Sequence, residues 1–596
     1  MHHGIASGRL ARRTACLMLT LSLLGCVGSQ SSQHSKVIRS FAAEPAVIEA
    51  GQSSTLSWNV ANARQVSLGG APAKPGWSSA RVSPTRTTTY QLTAETDSGE
   101  MASAEATVTV NPGPLLAKVA VDPSAGGRPL PAGFLGLSHD QTQAQLLIGD
   151  PAIGANPVYR QLLSNLMRDS QGPFSIRIRG SQDSRASVPD RSLTTALASL
   201  YRDLSATGQG VAFILGLNMA QGVPGLARMQ AQSYQQALPS EAIHSFELGN
   251  RPDLFVKQGH REPDYNFAEY LAEYQIYTDQ LGELDGEAVT LTAPSTKPGN
   301  DVASKVLIDA DALERLLMSQ YAGIASVSQH AASRPDADCT AERMLEPATS
   351  AGLIEPLKPF LETARRAAKP YRVIELDSDV CGPVGAGANS FASALWVADS
   401  LFEQAYAGVS AVNVHGNLWS PDGGWDPQAL FQFGVPAQQY KVSAAKAAPP
   451  GADAFTKDYT LRSVAPIYYG MLFFAEATAN QADLLPVAMA SDENIKAWAT
   501  RDPHSNRIAL ALINKDTEAF GRVQVEVAGY QRGEVKRLLA PSVESTGQIT
   551  YGGQTFESSP DGLPVGVEQR ERVEPVGGIF EVAVGPGSAV LLQLHR

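Results

Sequence analysis

Cysteine is almost missing from this chain. Four occur in 596 residues, none in a CxxC pair or a histidine-rich cluster, so the residues offer no framework for a metal site. Basic runs are missing as well: 47 Lys and Arg stand against 59 Asp and Glu, a formal net charge of -12, with no polybasic block to follow a phosphate backbone. Nucleic acid is therefore not an expected partner. No Gly-x-Gly-x-x-Gly follows an early strand and no Gly-x-Ser-x-Gly elbow accompanies the histidines, which leaves a dinucleotide fold and a Ser-His-Asp hydrolase without support. No cofactor is implied. Long apolar runs are lacking too, since the run from Ala15 to Leu24 is too short to span a bilayer.

That run follows His2, His3, Arg9, Arg12 and Arg13 and ends at Leu23-Leu24-Gly25-Cys26, the order of an export signal. Leu-Leu-Gly-Cys resembles a bacterial lipobox, which implies that residues 1–26 are signal and lipobox, that Cys26 is lipidated, and that residues 27–36 are a polar tether. Val27 rather than aspartate after the cysteine implies the outer membrane, on its periplasmic or cell-surface face. A secretory signal with an incidental cysteine is the alternative. With Cys16 removed in the signal and Cys26 acylated, Cys339 and Cys381 remain, either as a disulfide in an oxidising compartment or as two buried free thiols.

Residues 37–111 read as short alternating strands, among them Ser54–Trp58, Gln65–Leu68, Thr88–Thr93 and Ala104–Val110, separated by turn residues. They resemble bacterial immunoglobulin-like β-sandwich modules, with Trp58 as core plug; such a module acts as a spacer or binds glycan or protein. After the Asn111-Pro-Gly-Pro114 linker, apolar runs alternate with amphipathic helical ones through residues 117–480. Eight strands are expected: Phe134–Ser138, Phe174–Ile178, Val211–Leu217, His244–Leu248, Ala288–Thr292, Ile324–Val327, Tyr371–Glu375 and Ser410–Val414. Strand and crossover in this alternation predict a (β/α)8 TIM barrel, with a doubly wound open sheet as the alternative. Residues 481–596 return to β alternation and predict a C-terminal β-sandwich, as in Ile508–Ile513 and Ser588–Leu594.

Two strand ends carry the chemistry. Phe246-Glu-Leu-Gly-Asn-Arg-Pro-Asp-Leu-Phe255 places polar side chains where the fourth strand meets its loop, and Tyr371-Arg-Val-Ile-Glu375 ends the seventh strand on a carboxylate. Barrel enzymes keep their chemistry at that end of the strands. These segments resemble glycoside hydrolase family 79, the heparanase and β-glucuronidase type, as do Phe213–Asn218, Ser390–Asp399, Gly408–Gly416 and Ala465–Phe474, in the family's order. The resemblance implies a retaining glycosidase in which Glu375 is the nucleophile, a glycan substrate containing a uronic acid, and a strand near Ala117–Val121 that joins the C-terminal sandwich.

Two departures stand out. Where the family carries the acid/base glutamate of Asn-Glu-Pro, this chain has Arg251, which stays protonated at all relevant pH and cannot exchange a proton in turnover. Where the family has His-x-Tyr on the sixth strand, this chain reads His330-Ala-Ala332. Arg251 either pairs with Glu375 or Asp253, or clamps a substrate carboxylate beside Asn250; in a third reading Glu247, Asp253 or a histidine replaces the acid. Asn218, His139, Asp140, His330, His415 and Trp419 are the candidate substrate-binding residues, with Trp425 also near the cleft and Trp396 in an apolar helical run. Two functions remain open: an uncommon hydrolase, and a non-catalytic cell-surface glycan-binding or scaffold protein anchored to the membrane through lipid alone.

Overall fold

The computed structural model describes residues 37–596 except 50–51, 70, 74–77, 85–86, 112, 151–153, 171, 181–187, 285, 299–305, 307, 332–339, 377–386, 417–428 and 434–458. Eight parallel strands close into a barrel: β1 (Leu135–Asp140), β2 (Phe174–Arg179), β3 (Val211–Leu217), β4 (Ile243–Leu248), β5 (Leu291–Thr296), β6 (Ile324–Ala331), β7 (Tyr371–Leu376) and β8 (Ala411–His415). The ring closes where Leu135 to Ser138 pair with Val412 to His415. The open-sheet alternative is thereby removed.

Alternation explains how one strand serves both the core and the site. Phe174, Ile176 and Ile178 of β2 are buried in the large apolar core, while the intervening Ser175 and Arg177 bond across the barrel interior. Two strands differ from their expected bounds by more than two residues. The fifth begins at Leu291, because Glu287–Ala288 instead folds back on Glu283–Leu284 as a small antiparallel pair. Pro294 is accommodated where the β5–β6 register shifts, the kind of place where a strand tolerates a residue without an N–H. The sixth strand runs on to Ala331, so His330 is a strand residue rather than part of the following loop.

Ahead of the barrel, strands between Ile38 and Asn111 form sheets of three and five strands around a core containing Leu56, Trp58, Leu92 and Val108. Behind it lies a β-sandwich whose two sheets enclose Leu510, Leu512, Val523, Val525, Phe580 and Leu592. Leu115–Val121, which precedes the barrel in sequence, pairs with Gly521–Val527 and Ala488–Ala490 in this sandwich.

The seam between barrel and sandwich is polar as well as apolar. Asp399, on the buried helix Phe391–Ala407, accepts hydrogen bonds from Lys515 Nζ at 2.6 Å, Ser350 Oγ at 2.6 Å and Trp498 Nε1 at 3.0 Å. Trp498 also stacks on Phe402 of that helix at 5.7 Å and 10°. Among the described residues no helix is long and apolar enough to cross a membrane.

Candidate active site

Glu375 stands near the C-terminal end of β7 and is 5% exposed. Its carboxylate is enclosed by cations and imidazoles. Arg177 Nη1 donates to Oε2, His330 Nδ1 lies 3.1 Å from Oε1, Arg179 Nη1 lies 3.7 Å from Oε1, and His415 Nδ1 is 4.0 Å from Oε2. Burial opposes ionisation, but the attraction of His330, His415, Arg177 and Arg179 outweighs it and holds the carboxyl well below the usual range. Glu375 is therefore an ionised carboxylate at neutral pH.

Arg177 is the hub beneath it. Fully buried, it donates from Nε to Glu247 Oε2 at 2.5 Å and from Nη2 to Glu247 Oε1 at 2.7 Å, to Ser138 Oγ at 3.0 Å and to Asn250 Oδ1 at 3.1 Å. Sequence reasoning missed Arg177 and Arg179. The signal was present in the alternation Phe174-Ser-Ile-Arg-Ile-Arg179, which puts two cations at i and i+2 on the interior face of a strand, where they require acid partners.

Gly249 (φ +76°) and Arg251 (φ +51°) both take left-handed backbone after β4, turning the chain sharply into a short 3₁₀ segment, Pro252–Leu254. The Arg251 N–H donates to Ser295 O at 3.1 Å, tying this loop to β5. Its side chain pairs with Asp253, not with Glu375: Nε lies 3.0 Å from both carboxylate oxygens and Nη2 2.6 Å from Oδ2. A side chain two positions along the same turn thus holds the guanidinium. Asp253 is committed to that pair, and Glu247 is fully buried against Arg177.

Among the other candidates, Asn250 and His415 line the interior beside Glu375, and Asp140 pairs with Arg179 at the barrel mouth. His139 belongs to the wall: it is wholly buried, with Nδ1 2.7 Å from Gly416 O and Nε2 2.9 Å from Tyr159 OH, and burial lowers its pKa to about 4. Both ring nitrogens are taken, so it presents nothing to a ligand. Asn218 is also turned to the scaffold, its Oδ1 accepting from Gln221 N at 3.0 Å and its N–H donating to Gln230 Oε1 at 2.8 Å. Trp396 is core, with Nε1 donating to Thr349 O at 3.0 Å. Trp419, Trp425, Ala332, Cys339, Cys381 and Cys26 lie outside the described residues. Among the described residues, no group of three or more His, Cys, Asp or Glu is placed to hold a metal ion.

His330 is 2% exposed, and among the described residues its Nε2 has no hydrogen-bond partner. Burial lowers its pKa, Glu375 raises it, and Arg177 and Arg251 lower it again, for a net depression. The neutral ring donates from Nδ1 to Glu375 and keeps a lone pair on Nε2. In that state it is a hydrogen-bond brace for the carboxylate and has no proton to give from Nε2.

Comparison with known proteins agrees with this architecture. Residues 497–591 match the family model described as the glycosyl hydrolase family 79 C-terminal beta domain. No curated protein matches the chain by sequence. Among solved structures, a 4-O-α-L-rhamnosyl-β-D-glucuronidase from Fusarium oxysporum 12S superposes with a TM-score of 0.60 at 16% identity, over 80% of this chain and 100% of that one. A GH51 arabinofuranosidase from Xanthomonas axonopodis pv. citri matches at TM-score 0.53 and 14% identity, over 81% and 100%. An α-L-arabinofuranosidase from Thermotoga maritima matches at 0.53 and 13%, over 80% and 100%. At such identities the likeness is one of fold. Residues 497–591 thus resemble the C-terminal beta domain of glycosyl hydrolase family 79, behind a barrel whose fold these solved structures share.

Proposed function

We propose that the barrel mouth receives a uronic-acid-containing glycan at a retaining-glycosidase site whose nucleophile, Glu375, is in place and whose proton donor has been replaced. The observation that carries this reading is an ionised Glu375 in a site where the residue after Asn250 is an arginine, Arg251, bound to Asp253. A retaining site needs two carboxyl groups about 5–5.5 Å apart, one to attack the anomeric carbon and one to protonate the leaving oxygen. Attack by Glu375 still forms a glycosyl–enzyme ester and expels the leaving group with its electron pair. Arg251 cannot protonate that group, nor can it deprotonate the water that later opens the ester, so both steps lack general acid/base help. Such help is typically worth about 10²–10⁴-fold. Natural glycosides, which leave as alkoxides, then turn over slowly or are simply held; aryl glycosides with acidic leaving groups still react.

A uronic acid is supported by the part-exposed guanidinium of Arg179 at the mouth, and by the glucuronidase activity named for the Fusarium structure of the same fold. The binding-protein reading is favoured by the occupied state of Glu375, whose two oxygens already face Arg177 and His330. A leaving-group series separates the two. Hydrolysis of aryl β-glucuronides that falls steeply as the phenol becomes less acidic, and vanishes in Glu375→Gln, supports the impaired hydrolase. Binding without hydrolysis of any aryl glucuronide assigns the protein to glycan recognition. Values of kcat/KM independent of the leaving group, at full wild-type hydrolysis of poor leaving groups, mean that another residue donates the proton.

Export and anchoring through Cys26 complete the proposal, supported by the order of charged, apolar and small residues before it. Incorporation of labelled fatty acid that persists in Cys26→Ser would refute it.

A further inference from the structure

At the opposite end of the barrel, Arg372 lies near the start of β7 and is 7% exposed. Its Nη2 donates to Ser175 Oγ at 2.9 Å, Nη1 sits 3.4 Å from His244 Nε2, and among the described residues Nε has no hydrogen-bond partner. Among the described residues it forms no ion pair. The barrel's other interior arginines, Arg177 and Arg179, each sit on carboxylates. Glu375 lies three residues further along β7, about 10 Å away at strand rise, and Glu247 is bound bidentately by Arg177.

Among the described residues, the groups that bond to Arg372 are neutral. Ser175 Oγ already accepts from Asn413 Nδ2 at 3.0 Å, and His244 is held uncharged, burial and the Arg372 charge lowering its pKa to about 4. A buried guanidinium without a counter-charge is costly, and a protein interior normally supplies an anion for it. Ser175, His244 and Arg372 are each the second residue of their strands, so they share one layer at the N-terminal mouth. His244 is only part-buried, which leaves that layer a route to solvent.

We propose that this layer is a binding site for a small monovalent anion of the halide class, held by the Arg372 guanidinium at the N-terminal mouth of the barrel, beside His244. The carboxylates of the catalytic end are already committed to Arg177 and Arg179, and Ser175 and Asn413 beside Arg372 bond to each other through Oγ and Nδ2, so a compact ion that needs only the guanidinium fits better than an organic acid with several groups to satisfy. The site is separate from the glycan cleft and does not depend on the reading of that cleft.

Bromide is the probe. Crystals of the wild-type protein soaked in sodium bromide are expected to show an anomalous peak within hydrogen-bond reach of the Arg372 guanidinium. In solution, the melting temperature is expected to rise and saturate with sodium bromide or chloride but not with sodium gluconate at equal ionic strength. Arg372→Met is expected to remove the halide-dependent part, and Ser175→Ala to weaken halide binding several-fold; the crystal test on the wild type stands if Arg372→Met does not fold. No peak at saturating bromide, a peak without any halide-specific melting response, or a response that survives in Arg372→Met would each overturn the proposal.

Discussion

Replacing Arg177 by methionine removes the one cation that bonds both Glu247 and Glu375, together with its bonds to Ser138 and Asn250. The barrel interior is then left with two buried carboxylates and one positive charge fewer. Breaking a buried ion pair from one side costs about 3–5 kcal/mol, and that loss is expected at pH 8. At lower pH an unpaired carboxyl escapes the cost by taking up a proton. Buried carboxyls reach pKa values of about 8–9, and each pH unit is worth about 1.36 kcal/mol, so acidification from pH 8 to 5 is expected to return most of the loss. The variant's carboxyl has a folded pKa above its unfolded value of about 4.3, so its stabilising contribution is present at low pH and is lost as pH rises. The wild type runs the other way. The pKa of Glu375 is depressed in the folded state, so its contribution is present above the unfolded value and is lost on acidification below it. Urea unfolding of both proteins at pH 8 and pH 5, at fixed ionic strength, tests this. A loss under about 1 kcal/mol at pH 8, or one equal at both pH values, would refute the hub role.

Arg251→Glu restores a carboxyl where the loop after β4 presents residue 251, and is expected to raise hydrolysis of poor-leaving-group glucuronides by at least about tenfold, with little change on activated ones; equal effects on both would count against a missing acid. Arg179→Gln is expected to raise KM for an aryl β-glucuronide more than for the matching β-glucoside, which separates recognition of the substrate carboxylate from general damage. Lys515→Met strands Asp399 at the seam and is expected to cost about 3–5 kcal/mol, read as an earlier unfolding transition in scanning calorimetry with no shift in KM. Trp58→Ala, in the core of the N-terminal sheets, is expected to cost that unit about 3–5 kcal/mol while leaving glycoside kinetics unchanged.

The eight barrel strands were legible because each holds several apolar residues in a short run between turn residues and helical segments. The fifth was displaced because Glu287 and Ala288 continue the same β texture, and only tertiary pairing with Glu283 and Leu284 separates them from β5. The sixth was cut short because Ser328, Gln329 and His330 read as loop residues, although a barrel interior admits polar side chains that find partners there. Glu375 was legible as a carboxylate ending an apolar strand. Its surroundings were not: Arg177 and Arg179 lie far from it in sequence, and a charged residue in a strand points to a partner without naming it. The Arg251–Asp253 pair was legible as one of several alternatives for Arg251, since i and i+2 in a tight turn lie within reach. His139 looked like a site residue because it follows an apolar strand, and only the Tyr159 hydroxyl and Gly416 carbonyl show that its ring belongs to the wall.

The most direct test of the central claim is to trap the intermediate. A 2-deoxy-2-fluoro-β-glucuronosyl fluoride needs no proton donor for its leaving group, so incubation followed by intact-mass and peptide mass spectrometry tests the proposed nucleophile separately from the proposed loss of the acid. A surviving nucleophile predicts one added fluoroglucuronosyl unit, located on the peptide containing Glu375 and absent in Glu375→Gln. An unmodified protein under conditions where the same compound demonstrably binds, or an adduct on another residue, would contradict it.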